Sequence, residues 1–206
     1  RSRLIGVFGA FVICVSAIGF VNMNGARDID AAVGDLDGLH LPGLRWASEL
    51  KGAVGEAGGA VFSHILATDM DPIQAAEDRW KAAEAHVRAA EGKGAEFVAD
   101  AETRAAFETF RVRWADYSAA VPEILGYSKT FAKEAAAAFF NEKAAPAMTG
   151  MLEALDRVVA VKTDTARAAS LRARSASDSA FRVIVAMIGL GILFALVAGW
   201  VLTRSI

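Results

Sequence analysis

Apolar positions along this chain form two kinds of pattern. At the ends, Leu4 to Ala26 and Val183 to Thr203 contain no charged residue. Each is long enough to cross a bilayer, whose hydrocarbon core of about 30 Å takes about 20 apolar residues as a helix. Between them, apolar residues recur at alternating steps of three and four, the seam of a helical bundle. The clearest seam runs Phe107, Phe110, Trp114, Tyr117, Val121, Ile124, Ser128, Phe131. A second runs Ile73, Ala76, Trp80, Ala83, Val87, Ala90, Gly94, Phe97, and a third Leu50, Val54, Ala57, Val61, Ile65, Thr68. A fourth begins Met148, Leu152, Leu155, Val159 and continues through Lys162, Ala166, Ala169, Ala173 and Ala176. No strand-like alternation appears, and Ala, Glu, Arg and Lys favour helix throughout.

These seams predict four helices, at about 24–68, 72–98, 101–129 and 142–181. Asp71-Pro72 reads as an N-cap followed by proline at the first helical position, and Asp100 as the cap of the third helix. The Gly92–Gly94 neighbourhood weakens the end of the second helix, and Pro122 should kink the third. Phe131 to Asn141 forms one short helix, with Pro146 near the start of the fourth long one. Short connections make neighbours antiparallel. The predicted fold is all-α, an antiparallel up-down four-helix bundle flanked by two transmembrane helices. The chain then divides into 1–23 (cytoplasmic start and first transmembrane helix), 24–181 (periplasmic bundle), 182–203 (second transmembrane helix) and 204–206. At 1.5 Å per residue the first bundle helix is roughly 60 Å long, a rod that projects far from the bilayer.

Charge orients this arrangement. Arg1 and Arg3 flank the first span and Arg204 the second, which places both termini in the cytoplasm and the bundle outside. A cleaved signal peptide is the alternative for the first span, with small residues near Ala17 and Gly19. The long apolar stretch and the helical pattern directly after it favour an uncleaved anchor. Arg27 to Phe181 holds 18 basic against 24 acidic residues, a formal charge of −6, which argues against nucleic acid or an anionic surface as partner. The single cysteine, Cys14, lies in the first span, leaving the exported part without a disulfide. Small residues Gly6, Gly9, Ala10 and Ala17 would let two first spans approach closely, with Cys14 facing lipid or the partner's span.

Along nearly its whole length the chain resembles the sensor half of bacterial methyl-accepting chemotaxis receptors with a four-helix-bundle periplasmic domain. The resemblance rests on an ordered set: the basic start and first span, Leu41-Pro42, Asp71-Pro72, Trp114 and Tyr117, Glu142, and Pro146-Ala147. Leu202-Thr203-Arg204-Ser205-Ile206 follows the second span and is similar to the entry to a HAMP linker, so the chain is expected to stop just before one. The resemblance implies a homodimeric sensor and transducer, not an enzyme. A small-molecule ligand or a periplasmic binding protein acts on the distal bundle. The fourth helix then moves slightly, and a HAMP linker passes that motion to a cytoplasmic histidine kinase and coupling protein. The rival readings are the sensor of a histidine kinase or cyclic-dinucleotide enzyme, and a static membrane tether. One departure stands out. Receptors of this family that bind amino acids directly use arginines on the distal half of the first bundle helix, and here no Arg lies between Arg45 and Arg79.

The ligand candidates are therefore Lys51 and Glu56 on the first helix and Asn141, Lys143 and Thr149 near the start of the fourth. An anion could use Lys51 and Lys143 together, although an ordinary solvated face is the default for such charges. Arg45 beside Trp46 suits a cation–π pair with a partner helix, or simple snorkelling. His40, His64 and His86 lack metal spacing, and His64 with Asp69 and Asp71 makes at most a loose cation site at a turn that capping explains as well. No cofactor motif or catalytic constellation stands out. Thr163 to Ala180 is mostly small or polar, and so either a close-packed pair face or a stretch held loosely enough to shift. Lys162, on the apolar seam, either pairs with an acidic residue on another helix or across a dimer, or is partly exposed because the seam drifts. Drift is the default expectation.

Overall fold

The computed structural model describes residues 16, 19, 20, 23 and 25–204, and no strand occurs among them. The predicted first span falls mostly outside the described residues, as do Cys14, Ser205 and Ile206. Residues 25–35 are helical and pass through a π turn, Leu36–His40, into α1 (Leu41–Leu66). Next come α2 (Met70–Phe97), α3 (Ala101–Lys129) and the short α4 (Lys133–Phe139). A second π turn, Phe140–Ala144, leads into α5 (Ala145–Arg204).

Both π turns have the same local cause. Each ends two residues before a proline, Pro42 or Pro146. Proline has no N–H with which to continue the regular helical ladder, and the helix is widened just before it; in the second π turn Ala145 N–H donates to the Phe140 carbonyl, five residues back. The third helix, by contrast, runs through Pro122 without a break. The second helix begins earlier than Asp71-Pro72 suggested. Its N-cap is Asp69, with extended backbone, which puts Asp71 and Pro72 inside the first turn. There the missing proline N–H is one of the donors that have no helical partner anyway. The third helix ends in a Schellman turn: Phe131 N–H donates to the Ser128 carbonyl and Ala132 N–H to the Tyr127 carbonyl. Phe131 holds the left-handed position, φ 59°, that glycine usually fills. It leaves the seam and is exposed, and α4 is shorter than the predicted 131–141.

The chain divides into two compact units, Leu39–Ala166 and Arg1–Gly38 with Arg167–Ile206. Within Leu39–Ala166 the four long helices run up and down. At one end Trp46 of α1 packs on Phe97 of α2 (5.6 Å between ring centres) and Phe107 of α3 (5.3 Å), while Lys162 of α5 reaches Asp100. At the other end His64 of α1 meets Ser128 of α3, Glu77 of α2 pairs with Lys129, and Phe62 packs on Phe140 just before α5. Early residues of one helix thus meet late residues of the next. The first three predicted seams are the core: Leu50, Val54, Ala57, Val61 and Ile65; Ile73, Ala76, Trp80, Ala83 and Val87; Phe107, Phe110, Trp114, Tyr117, Val121 and Ile124 are all buried. The indole N–H of Trp46 donates to the Ala90 carbonyl at 2.8 Å, so its polar atom is satisfied inside the aromatic layer. Gly94 is required there, since a Cβ would lie 2.6 Å from Phe107 Cζ.

The fourth seam holds the expected Leu155, Lys162, Ala166 and Ala169 inside and departs from expectation at its other early positions. Ala147, Met151, Ala154, Leu155 and Val158 are buried, whereas Met148, Leu152 and Val159 are only half-buried. The buried stripe continues through Lys162, Ala166 and Ala169, and no described residue of α5 beyond Ala169 is buried. In the other unit, Gly25 lies against α5, where a Cβ would be 3.4 Å from Ala180 Cβ, an ordinary contact between small residues.

Candidate functional site

Lys162 is the first polar residue on the inner stripe of α5, and the structure overturns the drift reading for it. Its side chain is 11% exposed, and its ammonium lies 3.1 Å from Asp100 Oδ2. Asp100 does double duty. Its other oxygen, Oδ1, accepts the Thr103 N–H at 2.6 Å and so caps α3. Burial works to raise the Asp100 carboxyl, but hydrogen bonding from Thr103 and the Lys162 ammonium outweigh it and hold it at about 2. One carboxylate therefore fixes the α2–α3 turn and ties it to the long helix. The sequence signal was present in halves, a cap at Asp100 and a misplaced cation at Lys162. The expected seam already held Lys162, and the default expectation of drift left it without its partner.

A second polar station sits at the opposite end of Leu39–Ala166. The His64 side chain is buried, and neither ring nitrogen has a hydrogen-bond partner among the described residues. Ser128 Oγ donates to the His64 carbonyl at 2.6 Å, and Lys133 Nζ donates to the Leu66 carbonyl at 3.2 Å, closing the last turn of α1. Nearby, Glu77 pairs with Lys129 at 2.8 Å and with Lys81 at 3.3 Å. The Lys129 hydrogen bond chiefly lowers the Glu77 carboxyl, against a smaller opposing push from burial. Asp69, meanwhile, accepts from Thr68 Oγ1 at 3.0 Å.

The five ligand candidates are not gathered in one place. The Lys51 ammonium pairs with Asp156 of α5. Glu56 faces α2, where His86 Nδ1 lies 4.0 Å away. Lys143 pairs with its neighbour Glu142 at 2.8 Å, an exposed contact that lowers the carboxyl and raises the ammonium. Asn141 and Thr149 are exposed on or just after the second π turn. The 13 residues from Lys143 to Asp156 place the Lys143 and Lys51 levels about 20 Å apart. No small anion bridges both in this conformation. Arg45 turns to Glu49 at 2.8 Å on its own helix.

Shallow grooves lie between the helices of this unit among the described residues. One of about 450 Å³ lies between α1 and α2, lined by Trp46, Glu49, Glu56, His86 and Lys93 among others. A second, about 610 Å³, lies between α2 and α3 and carries Arg88, Arg104 and Arg111 beside Glu91, Glu108 and Phe107. There burial raises the Glu91 carboxyl, opposed by Arg111 and Arg88. A third of about 300 Å³ between α3 and α5 holds Arg113 and Arg157, with the Arg113 side chain lying along Gly150. These arginines sit on α2, α3 and α5, not on the first bundle helix where the resemblance directed attention.

Among the described residues one helical run, Lys133–Val197, contains a stretch apolar enough to cross a membrane, with mean hydropathy 2.5. Arg204 lies over the Trp200 ring, 4.9 Å from its centre, the amphipathic pairing usual at a membrane–water boundary. Residues 1–176 match the family model described as a four helix bundle sensory module for signal transduction. No curated protein and no solved structure matches the chain. The apolar run and this match both point to a membrane protein. With four long helices packed as the bundle and the match spanning most of its length, the chain belongs to the family of four-helix-bundle sensory modules for signal transduction.

Proposed function

We propose that this sensory module is the ligand-sensing and transmembrane segment of a chemotaxis receptor, in which a small displacement of α5 reaches a cytoplasmic HAMP and kinase-control region. The observation that carries the reading is α5 itself, one helix from Ala145 in the bundle to Arg204 beyond the apolar stretch. Its packing suits the task. Met151, Leu155 and Val158 grip the bundle, whereas Ala166 and Ala169 bury little area per turn. A slide of about 1–2 Å, an established switching mode, disturbs few apolar contacts there. The Lys162–Asp100 pair is the polar contact such a slide would stretch.

In this reading the bundle is periplasmic, both termini are cytoplasmic, and a second copy pairs with the exposed faces of the membrane-proximal helices. The stimulus is a small molecule or a loaded binding protein, and the module itself performs no catalysis. The test is a hybrid in which residues 1–206 replace the sensor of a characterised chemotaxis receptor. Cells are scored against amino acids, organic acids, polyamines and metals. A response that appears only with the hybrid, and disappears when 24–181 is deleted, supports the proposal. Kinase control indifferent to every stimulus and to that deletion would make the segment a tether.

A further inference from the structure

We propose that His64 is a proton-operated switch at the corner where α1, α2 and α3 meet, closed while the imidazole is neutral and opened by its protonation. The geometry carries this. The side chain is 0% exposed in the last turns of α1, and both ring nitrogens lack a partner among the described residues. A neutral ring has one donor and one acceptor to satisfy, but an imidazolium has two charged donors, and burying a charge without a partner is far costlier than burying the neutral ring.

The surrounding charges do not rescue the cation. Glu77 of α2 favours it and Lys129 of α3 opposes it, and these two are paired with each other at 2.8 Å. Glu77 is further engaged by Lys81 of its own helix, and the Lys133 ammonium of α4 sits on the Leu66 carbonyl close by. Burial is the largest influence on the ring and holds its pKa below the usual 6.5. Protonation therefore leaves two exits. Glu77 turns to the ring and releases Lys129 from the end of α3, or water enters and the Ser128-to-His64 carbonyl bond is lost. Either exit loosens the α1–α2 and α3–α4 turns together.

The sign follows from linkage. A histidine whose pKa is lowered by folding costs nothing above about pH 6.5, where it is neutral in both states. Below that, the folding constant falls by up to about tenfold per pH unit until the folded-state pKa is passed. Only the use of this switch as a stimulus rests on the receptor reading above, and kinase output of the hybrid at pH 7.5 and 5.0 tests that use separately.

The switch is tested on the full chain in detergent micelles, by thermal unfolding from pH 7.5 to 5.0. The wild type, His64→Leu, His64→Gln, and the controls His40→Gln and His86→Gln are compared. The expected result is a melting temperature that falls towards pH 5.0 in the wild type and both controls, and falls clearly less in both His64 variants. A wild type with no fall, or His64 variants with an unchanged fall, overturns the proposal. Should neither His64 variant fold, a nuclear magnetic resonance titration of the wild-type histidine rings decides. A His64 ring titrating below 6.5 together with amide shifts at 66–71 and 129–133 supports the switch. A ring titrating at or above 6.5, or without those shifts, overturns it.

Discussion

Replacing Asp100 by Asn removes one charge and leaves the shape of the site. Asn caps helices as well as Asp does, so the bond from Thr103 N–H is retained. What changes is the environment of the Lys162 ammonium, 11% exposed and now facing a neutral amide. Breaking a fully buried pair costs about 3–5 kcal/mol. Here Asp100 is 41% exposed, so water reaches one side of the pair, and a cost of about 2 kcal/mol is expected, nearer that of a charge-assisted hydrogen bond. For a unit of this size that is a fall of roughly 6–10 °C in melting temperature. Lys162→Met behaves differently. It leaves Asp100 partly solvated and still capping α3, and it fills the seam between Val158 and Ala166 with an apolar chain of similar length. Its effect should lie within about 1 kcal/mol of zero. The double variant should recover most of the loss seen in Asp100→Asn. Thermal unfolding in detergent, followed by circular dichroism at neutral pH, measures all three. The reasoning fails if Asp100→Asn melts with the wild type, or if Lys162→Met is the more damaging change.

Other outcomes follow from the same contacts. The Asp100 carboxyl is held at about 2, below its unfolded value near 4, so its contribution is full above about pH 4 and is lost as pH falls towards 2. Acid unfolding should show that Lys162→Met loses less stability across this window. Gly94→Ala should destabilise by about 1–3 kcal/mol, because the new Cβ meets Phe107 at 2.6 Å, while Gly92→Ala, with open space around it, should stabilise by about 0.5–1 kcal/mol. Denaturant unfolding of the two variants compares them, and equal shifts would contradict the packing described. Phe131→Gly should gain about 1 kcal/mol by relieving the left-handed backbone at the end of α3, and a variant that melts below the wild type would contradict this.

Most of the bundle was legible because its signals are local and repeated. The seam from Phe107 to Ser128 repeats large aromatic and branched residues over about six turns, and the helix that carries it starts after a true cap, Asp100, and ends in a true Schellman turn after Lys129. The fourth helix was harder to phase. From Ala144 to Ala169 its alanines satisfy either of two adjacent stripes, and only packing against three other helices selects the one with Met151 and Val158 inside. Lys162 lies inside on either stripe, and what a single helix does not reveal is that it passes close to Asp100 at the α2–α3 turn. The π turns before Pro42 and Pro146 are a matter of backbone hydrogen bonding, which a hydropathy pattern does not carry. The ligand candidates suffered from the opposite problem. Lys51, Glu56 and Lys143 were chosen as charges near one end, yet each answers to a different helix or neighbour, Asp156, His86 and Glu142. Long-range pairing of exposed charges leaves no trace in spacing along a single helix.

The central claim is that displacement of α5 controls the output, and it can be tested without knowing the stimulus. In the proposed receptor, Trp200 with Arg204 over its ring would anchor α5 at the membrane boundary. In the hybrid receptor, this pair is moved together by one residue towards either end of the helix, and basal kinase activity is measured in isolated membranes. The account predicts activity that rises for one direction of shift and falls for the other. Equal activity in all three positions, with the receptors present at equal levels, would contradict it.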